Sequence, residues 1–311
     1  MNGRLQSRVS RHHWALSAAP EMNTLKDPAL PGGFYATMLS QDFSHLHYAY
    51  DMDLEYEGVD PKRGSEIVRC LLRELDRHER TRAGELFPVL VSTVATDHMM
   101  YGRCVFELFR DEGADFPGPR LGVLPGWSLR RKRGQYFQAL HREGRVEWRQ
   151  LPATSLVEFR LPGRLGKDLY SVRRRLQVLD AHRPGDLAMV ARSRVTGYDF
   201  SAHRKLLDEM AARATRRIGW HGRDAYLERA TNSYRTYRQL RFRRTWLMIV
   251  NATSETLTRV CNHPDVIGDM ALQVRVTGVP TIAEIERHAD ALISGSISLD
   301  EIFRSVLHPR R

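Results

Sequence analysis

Hydrophobic and polar positions repeat with a helical period along most of the chain and with period two in its middle. After Pro61, Ile67, Leu71, Leu72 and Leu75 recur at helical spacing while Arg73, Glu74, Arg77 and Glu79 take other faces, which predicts an amphipathic helix. A break near Gly84 precedes a longer apolar run, Glu85 to Phe109. Its first part reads as helix to Met100, and Tyr101 to Arg110 as helix or strand. Between Asp111 and Pro162, Gly and Pro punctuate short runs at Leu121 to Leu124, Tyr136 to Leu140, Arg145 to Trp148 and Leu156 to Leu161, a small antiparallel β region. Helical spacing returns from Tyr170, with Val172, Leu176 and Leu179 on one face, then over Phe200 to Ile218 and Ala225 to about Val260. Thr281 and Glu284 form a capping box after Pro280, and Ser298 with Glu301 repeats the signal before a final short helix.

Ahead of Pro61 the period is broken by Pro20, Pro28, Pro31, Gly32 and Gly33, which predicts an extended arm. Phe34, Tyr35, Phe43, Tyr48 and Tyr50 give that arm the means to dock on the body or on a neighbouring subunit, and Tyr48 to Tyr56 alternates enough for a strand. The expected division is an arm over 1–60, a helical segment leading into the first strand over 61–110, a β-rich region over 111–162, long helices over 163–262 and a C-terminal helical segment over 263–311. The fold class is α+β, mainly helical with a central small antiparallel β region. No regular βαβ alternation marks a doubly wound sheet.

Composition narrows the picture. With 42% hydrophobic and 27% charged residues, the 311-residue chain is not wholly disordered. No apolar run approaches ~18 residues, and Met1 to Ala19 lacks the apolar core of a signal peptide. The expectation is a soluble protein with no membrane partner, made in a reducing cytoplasm. Cys70, Cys104 and Cys261 stand far apart in apolar surroundings and read as buried free thiols. Forty-eight Lys+Arg against 37 Asp+Glu give a net charge of +11, which points to nucleic acid or an acidic protein surface. Nearly all of the basic residues are arginine, a bias that bidentate phosphate contacts and a GC-rich genome explain equally well.

Catalytic signatures are absent: there is no GxxxxGK[ST], GxGxxG, GxSxG or HExxH. No enzyme activity, cofactor or metal is therefore expected. His45 and His47 beside Asp42, Asp51 and Asp53 have the chemistry of metal ligands, yet H-x-H in a polar arm reads first as solvated surface. Alternating Asp51, Asp53 and Glu55, with Glu158, sketch a metal-dependent nuclease, but the accompanying Arg160 cannot exchange a proton at neutral pH. Cys104 is flanked by Val105 and Phe106, a setting that raises a thiol pKa.

Two stretches concentrate positive charge. Arg130, Arg131, Lys132 and Arg133 read as a hairpin tip with no core to serve, and Arg235, Arg238 and Arg241 lie on a long helix. These seven are the DNA-facing candidates. On the helix, Tyr234, Tyr237, Phe242 and Trp246 interleave with the arginines, which suits phosphate pairing with stacking or subunit packing. Phe34, Tyr35, Phe43, Tyr48, Tyr237, Phe242 and Trp246 are the subunit-interface candidates.

The order of these pieces is familiar. ATDHMMYGRCVFELFRD, Ala95 to Asp111, resembles the helix, Tyr-Gly and Glu-bearing strand of tailed-bacteriophage portal proteins. LGVLPGWSLRR is similar to that family's Leu-Pro-containing strands. LPATSLVEFRLPGRLGKDLYSVRRRLQVLD resembles its next element, where a β segment closes and a helix begins, and RVTGVPTIAEIERHADALISGSISLDEIF its helical end. The resemblance runs from Leu86 to about Leu307.

It implies a short portal with wing, stem, clip and crown-like parts, assembled as a homo-oligomeric ring, a dodecamer, at one capsid vertex of the virion. The implied partners are capsid protein, terminase, a tail connector and the double-stranded DNA that passes through the channel. Tyr101 and Gly102 would then serve shape, Gly letting the chain leave a helix and Tyr burying a ring beside it. Ring closure requires two different complementary patches, for which the arm Ala29 to Asp53 and the helix Tyr234 to Glu255 are available. A basic DNA-binding protein acting through Phe200 to Gly219 and Ala225 to Val260, and the Asp51, Asp53 and Glu158 nuclease, remain as alternatives.

Overall fold

Thr281 and Ser298 open helices where the sequence predicts them, and the helix expected after Pro61 starts there. The computed structural model describes residues 34–76, 82–111, 118–142, 145–182, 199–220, 222, 231–268 and 271–307. In chain order the elements are α1 (Phe34–His45), β1 (Asp53–Glu57), α2 (Pro61–Leu72), α3 (Ala83–Tyr101), β2 (Val105–Asp111), β3 (Gly118–Leu124), β4 (Leu129–Lys132), β5 (Gln135–Arg142), β6 (Arg145–Gln150) and β7 (Leu156–Glu158). These are followed by α4 (Leu165–Ala181), α5 (Phe200–Ala214), α6 (Asn232–Cys261), α7 (Pro264–Ile267), β8 (Gln273–Thr277), α8 (Ile282–Ser294) and α9 (Leu299–Ile302). The fold is α+β, mainly helical with small antiparallel sheets. No helix among the described residues is long and apolar enough to cross a membrane.

The chain forms two compact units that interleave along the sequence. One takes Met52–Gly166 and Ile249–Gly278, the other Pro31–Asp51, Lys167–Met248 and Val279–Arg311. The five consecutive blocks read from the sequence therefore do not coincide with the units. Long-range packing reunites segments that local pattern reading keeps apart.

In the first unit, Asp60 accepts the N–H groups of Lys62 and Arg63, so α2 starts with its orphan donors satisfied and Pro61 in its first turn. α2 packs on α3 and β3. Val68, Leu71 and Leu72 of α2 meet a core that also buries Leu86, Phe87, Leu90 and Val94 of α3, and Phe106 and Phe109 of β2. α3 begins at Ala83, just before the predicted break. It ends at Gly102, whose φ of 70° and N–H bond to the His98 carbonyl make the left-handed C-cap. The Tyr101 ring packs on Gly126, where a side chain would collide with it.

β2 is the central strand of a sheet ordered β3-β2-β7. β4, β5 and β6 form a second antiparallel sheet inserted in sequence between β3 and β7. Val105, Leu124, Leu129, Tyr136 and Leu151 form the cluster that fastens it to the first. The predicted Leu156 to Leu161 strand stops at Glu158, and Phe159 N–H donates to the Cys104 carbonyl at 3.0 Å. β1 pairs with β8 over five residues, Asp53 opposite Thr277 to Glu57 opposite Gln273. The partner strand β8 was not anticipated from pattern.

In the second unit, the supposed extended arm is in part a helix. Residues 1–33 lie outside the described residues, but Phe34 to His45 is α1, with Tyr35, Leu39 and Phe43 on one buried stripe at i, i+4 and i+8. The Pro and Gly residues upstream mask that short period. Phe43 meets Phe242 edge-to-face at 4.6 Å, Tyr50 stacks on Trp246 at 5.6 Å, and Trp220 Nε1–H donates to Asp42 at 2.8 Å. α5 ends at Ala214, where the Thr215 hydroxyl bonds the Ala211 carbonyl, not at the predicted Ile218. α6 begins at Asn232, and 223–230 lie outside the described residues. The Thr281 capping box is complete, its N–H donating to Glu284 at 2.7 Å.

Candidate nucleic-acid interface

The β4 and β5 strands pair from Leu129 opposite Gln138 to Lys132 opposite Gln135, and β5 pairs with β6 from Phe137 opposite Gln150 to Arg142 opposite Arg145. Neighbours in an antiparallel register share a face, and successive residues alternate. Leu129, Tyr136 and Leu140 point into the unit and are buried. Arg130, Lys132, Gln135, Phe137, Ala139, Val146, Trp148 and Gln150 therefore make the outer face, which carries rings, cations and amides but no carboxylate among the described side chains.

The Arg130 guanidinium lies 4.1 Å from the centroid of the Trp148 ring. Arg130 is on β4 and Trp148 on β6, so the side chain spans β5, where the small Ala139 opposite Trp148 leaves the space. This is cation–π stacking at a partly solvated site, stabilising by about 0.5–1 kcal/mol. On the inner face Arg131 approaches the Tyr136 ring at 5.6 Å, and the Tyr136 hydroxyl donates to Glu158 at 3.1 Å. Burial, with Glu158 adding to it, pushes the Tyr136 phenol up. Arg130, Arg131, Lys132 and Arg133 are all exposed, and no carboxylate among the described residues pairs with any of them.

The hairpin turns through Arg133 and Gly134 with φ of 51° and 81°. Two-residue hairpins favour such left-handed pairs, normally filled by Asn-Gly or Gly-Gly. Among the described residues Arg133 is the one non-glycine with positive φ. Arginine here costs about 1 kcal/mol of backbone strain that Gly would avoid. The tip keeps a cation at the expense of a relaxed turn.

No family model matches the chain, and no curated protein matches it.

The helical arginines divide. Arg238 is 2% exposed and is corrected from a DNA-facing to a structural residue. Its guanidinium donates to the carbonyls of Ala212, Gly219 and Trp220 and to the Thr215 hydroxyl at 3.1 Å, and burial holds its pKa down. The carbonyls come from the end of α5 and the turn after it, where the helix dipole is negative, so the charge is compensated without a carboxylate. Arg235 is half-buried, and Arg241, also half-buried, lies 5.9 Å from the Tyr237 ring and donates to the Arg217 carbonyl.

The interface candidates divide as well. Tyr35, Phe43, Phe242 and Trp246 are buried in the core of their own unit, so they are corrected from interface to core. Large aromatic residues at helical spacing bury more apolar area inside than a surface leaves for them. Phe34, at 41% exposure, and Tyr48, at 67%, remain on the surface, and Tyr237 is half-buried.

The catalytic alternatives do not assemble. Asp53 accepts the Leu54 N–H, Glu158 is held by Arg160 at 2.8 Å and by Tyr136, and Asp42 is taken by Trp220. Among the described residues no group of three or more His, Cys, Asp or Glu side chains is placed to hold a metal ion. Cys104 is fully buried, and burial together with Asp97 pushes its thiol well above the usual range. The strands of Phe137 and Trp148 were legible in the sequence, but not that the two rings share one face with Arg130 and Lys132; period-two alternation was the available signal.

Proposed function

We propose that the chain is the subunit of a portal-type ring, a structural virion protein that conducts DNA and docks terminase, capsid protein and tail connector. One observation carries this reading. After α3 leaves through Tyr101 and Gly102, β2 and β3 pair, the chain makes its β4-β5-β6 excursion, and β7 returns to β2 before α4 starts at Leu165. That is the order of pieces on which the portal resemblance rests. Exposed Phe34 and Tyr48 offer apolar anchors for a neighbouring copy.

Native mass spectrometry with negative-stain imaging at near-physiological salt tests the reading. A closed ring with a central hole supports it. A monomer or dimer that shifts DNA in a gel favours the second reading, a basic DNA-binding protein. The exposed cations of the β4-β5 hairpin, which no carboxylate among the described residues pairs, support that alternative, while the burial of Arg238 weakens its helical form.

A further inference from the structure

The outer face of the β4-β5-β6 sheet sets planar groups beside cations. Phe137 and Trp148 are diagonal neighbours on β5 and β6, the Arg130 guanidinium sits 4.1 Å from the Trp148 ring centroid, and Lys132 and Arg133 extend along the same hairpin to its tip. The face carries no described carboxylate, and the tip holds an arginine in a strained conformation that Gly would relieve.

We propose that this face binds single-stranded nucleic acid, with a base stacked on the Arg130 guanidinium above Trp148 and phosphates paired with Lys132 and Arg133. Unpaired bases offer their π faces to aromatic rings and to guanidinium planes, and the backbone supplies anions at short repeat. A duplex hides those faces inside its stack and would use only the cations. An acidic peptide matches the charge and leaves the rings without a partner. The inference goes beyond ring assembly and does not rest on it: single-stranded binding by a monomer supports it, and a ring that ignores single strands overturns it.

Fluorescence anisotropy of the full chain with a labelled oligothymidylate, across a salt series, is the test. A duplex of equal length, polyphosphate and polyglutamate serve as comparison ligands. The single strand is expected to bind more tightly than the duplex and to resist displacement by either polyanion at matched charge. Trp148→Leu should weaken the single strand about tenfold and leave the duplex unchanged. Arg130→Lys keeps the charge and the salt slope but loses the planar surface, so it should weaken the single strand several-fold. Arg133→Gly should lower the slope of log affinity on log salt by about 0.7 while raising the melting temperature.

Equal affinity for duplex and single strand, displacement by polyphosphate or polyglutamate charge for charge, or full affinity in folded Arg130→Lys protein would each overturn the proposal. Arg130 is exposed, so its variant keeps the test open if Trp148→Leu fails to fold.

Discussion

The Asp180 carboxylate accepts the N–H of Tyr35 at 2.8 Å and, through its other oxygen, that of Ala36 at 3.2 Å. A side chain from the end of α4 therefore caps α1, 144 residues away in sequence. First-turn N–H groups have no partner within a helix, so a carboxylate there satisfies donors and matches the dipole. Asp180→Ala is expected to lower stability by about 1 kcal/mol, and Asp180→Asn by less. Urea unfolding followed by circular dichroism measures both, and an Ala variant as stable as the parent refutes the cap.

Arg238 should matter more. Its guanidinium binds three carbonyls and a hydroxyl in the interior of its unit, a fan of donors that an ammonium cannot reproduce. Arg238→Ala leaves those acceptors unpaired and should destabilise by about 3 kcal/mol. Arg238→Lys should recover only part of that loss. Thermal unfolding of the pair decides the matter, since near-wild-type stability of the Lys variant is incompatible with a network built on guanidinium geometry.

A pH dependence is expected from Asp97. Burial pushes its carboxyl up to about 7, against which the hydrogen bond from Cys104 acts, and its Oδ2 has no hydrogen-bond partner among the described residues. The folded chain thus binds a proton that the unfolded chain releases near pH 4. Between about pH 4 and pH 7 the folded state holds more protons, so this contribution is fully present below pH 4 and lost as pH rises through 7. Asp97→Asn should remove that slope and leave the variant more stable than the parent at pH 8, by up to about 4 kcal/mol. Chemical denaturation at pH 5 and pH 8 gives the comparison, and parallel shifts at both values would rule out this assignment.

Local signals predicted what local physics controls. The start of α2 at Pro61, the Thr281 capping box and the Ser298 cap each depend on a few adjacent residues, and all three are in place. The α+β class followed from the switch of hydrophobic period between 111 and 162. The exposed charge at Arg130 to Arg133 was legible too, because a tight hairpin has no interior in which to bury it.

Tertiary structure decided which aromatic and arginine residues face solvent. Tyr35, Phe43, Phe242 and Trp246 sit at spacings that suit an interface or a core, and only the packing of α1 with α6 within their unit chooses core. Arg238 shows the same limit: the carbonyls that receive it belong to Ala212, Gly219 and Trp220, 18 to 26 residues earlier. The Arg130 stack needed the registers of three strands. Caps and turns are set by neighbours in sequence, whereas burial and pairing are set by neighbours in space.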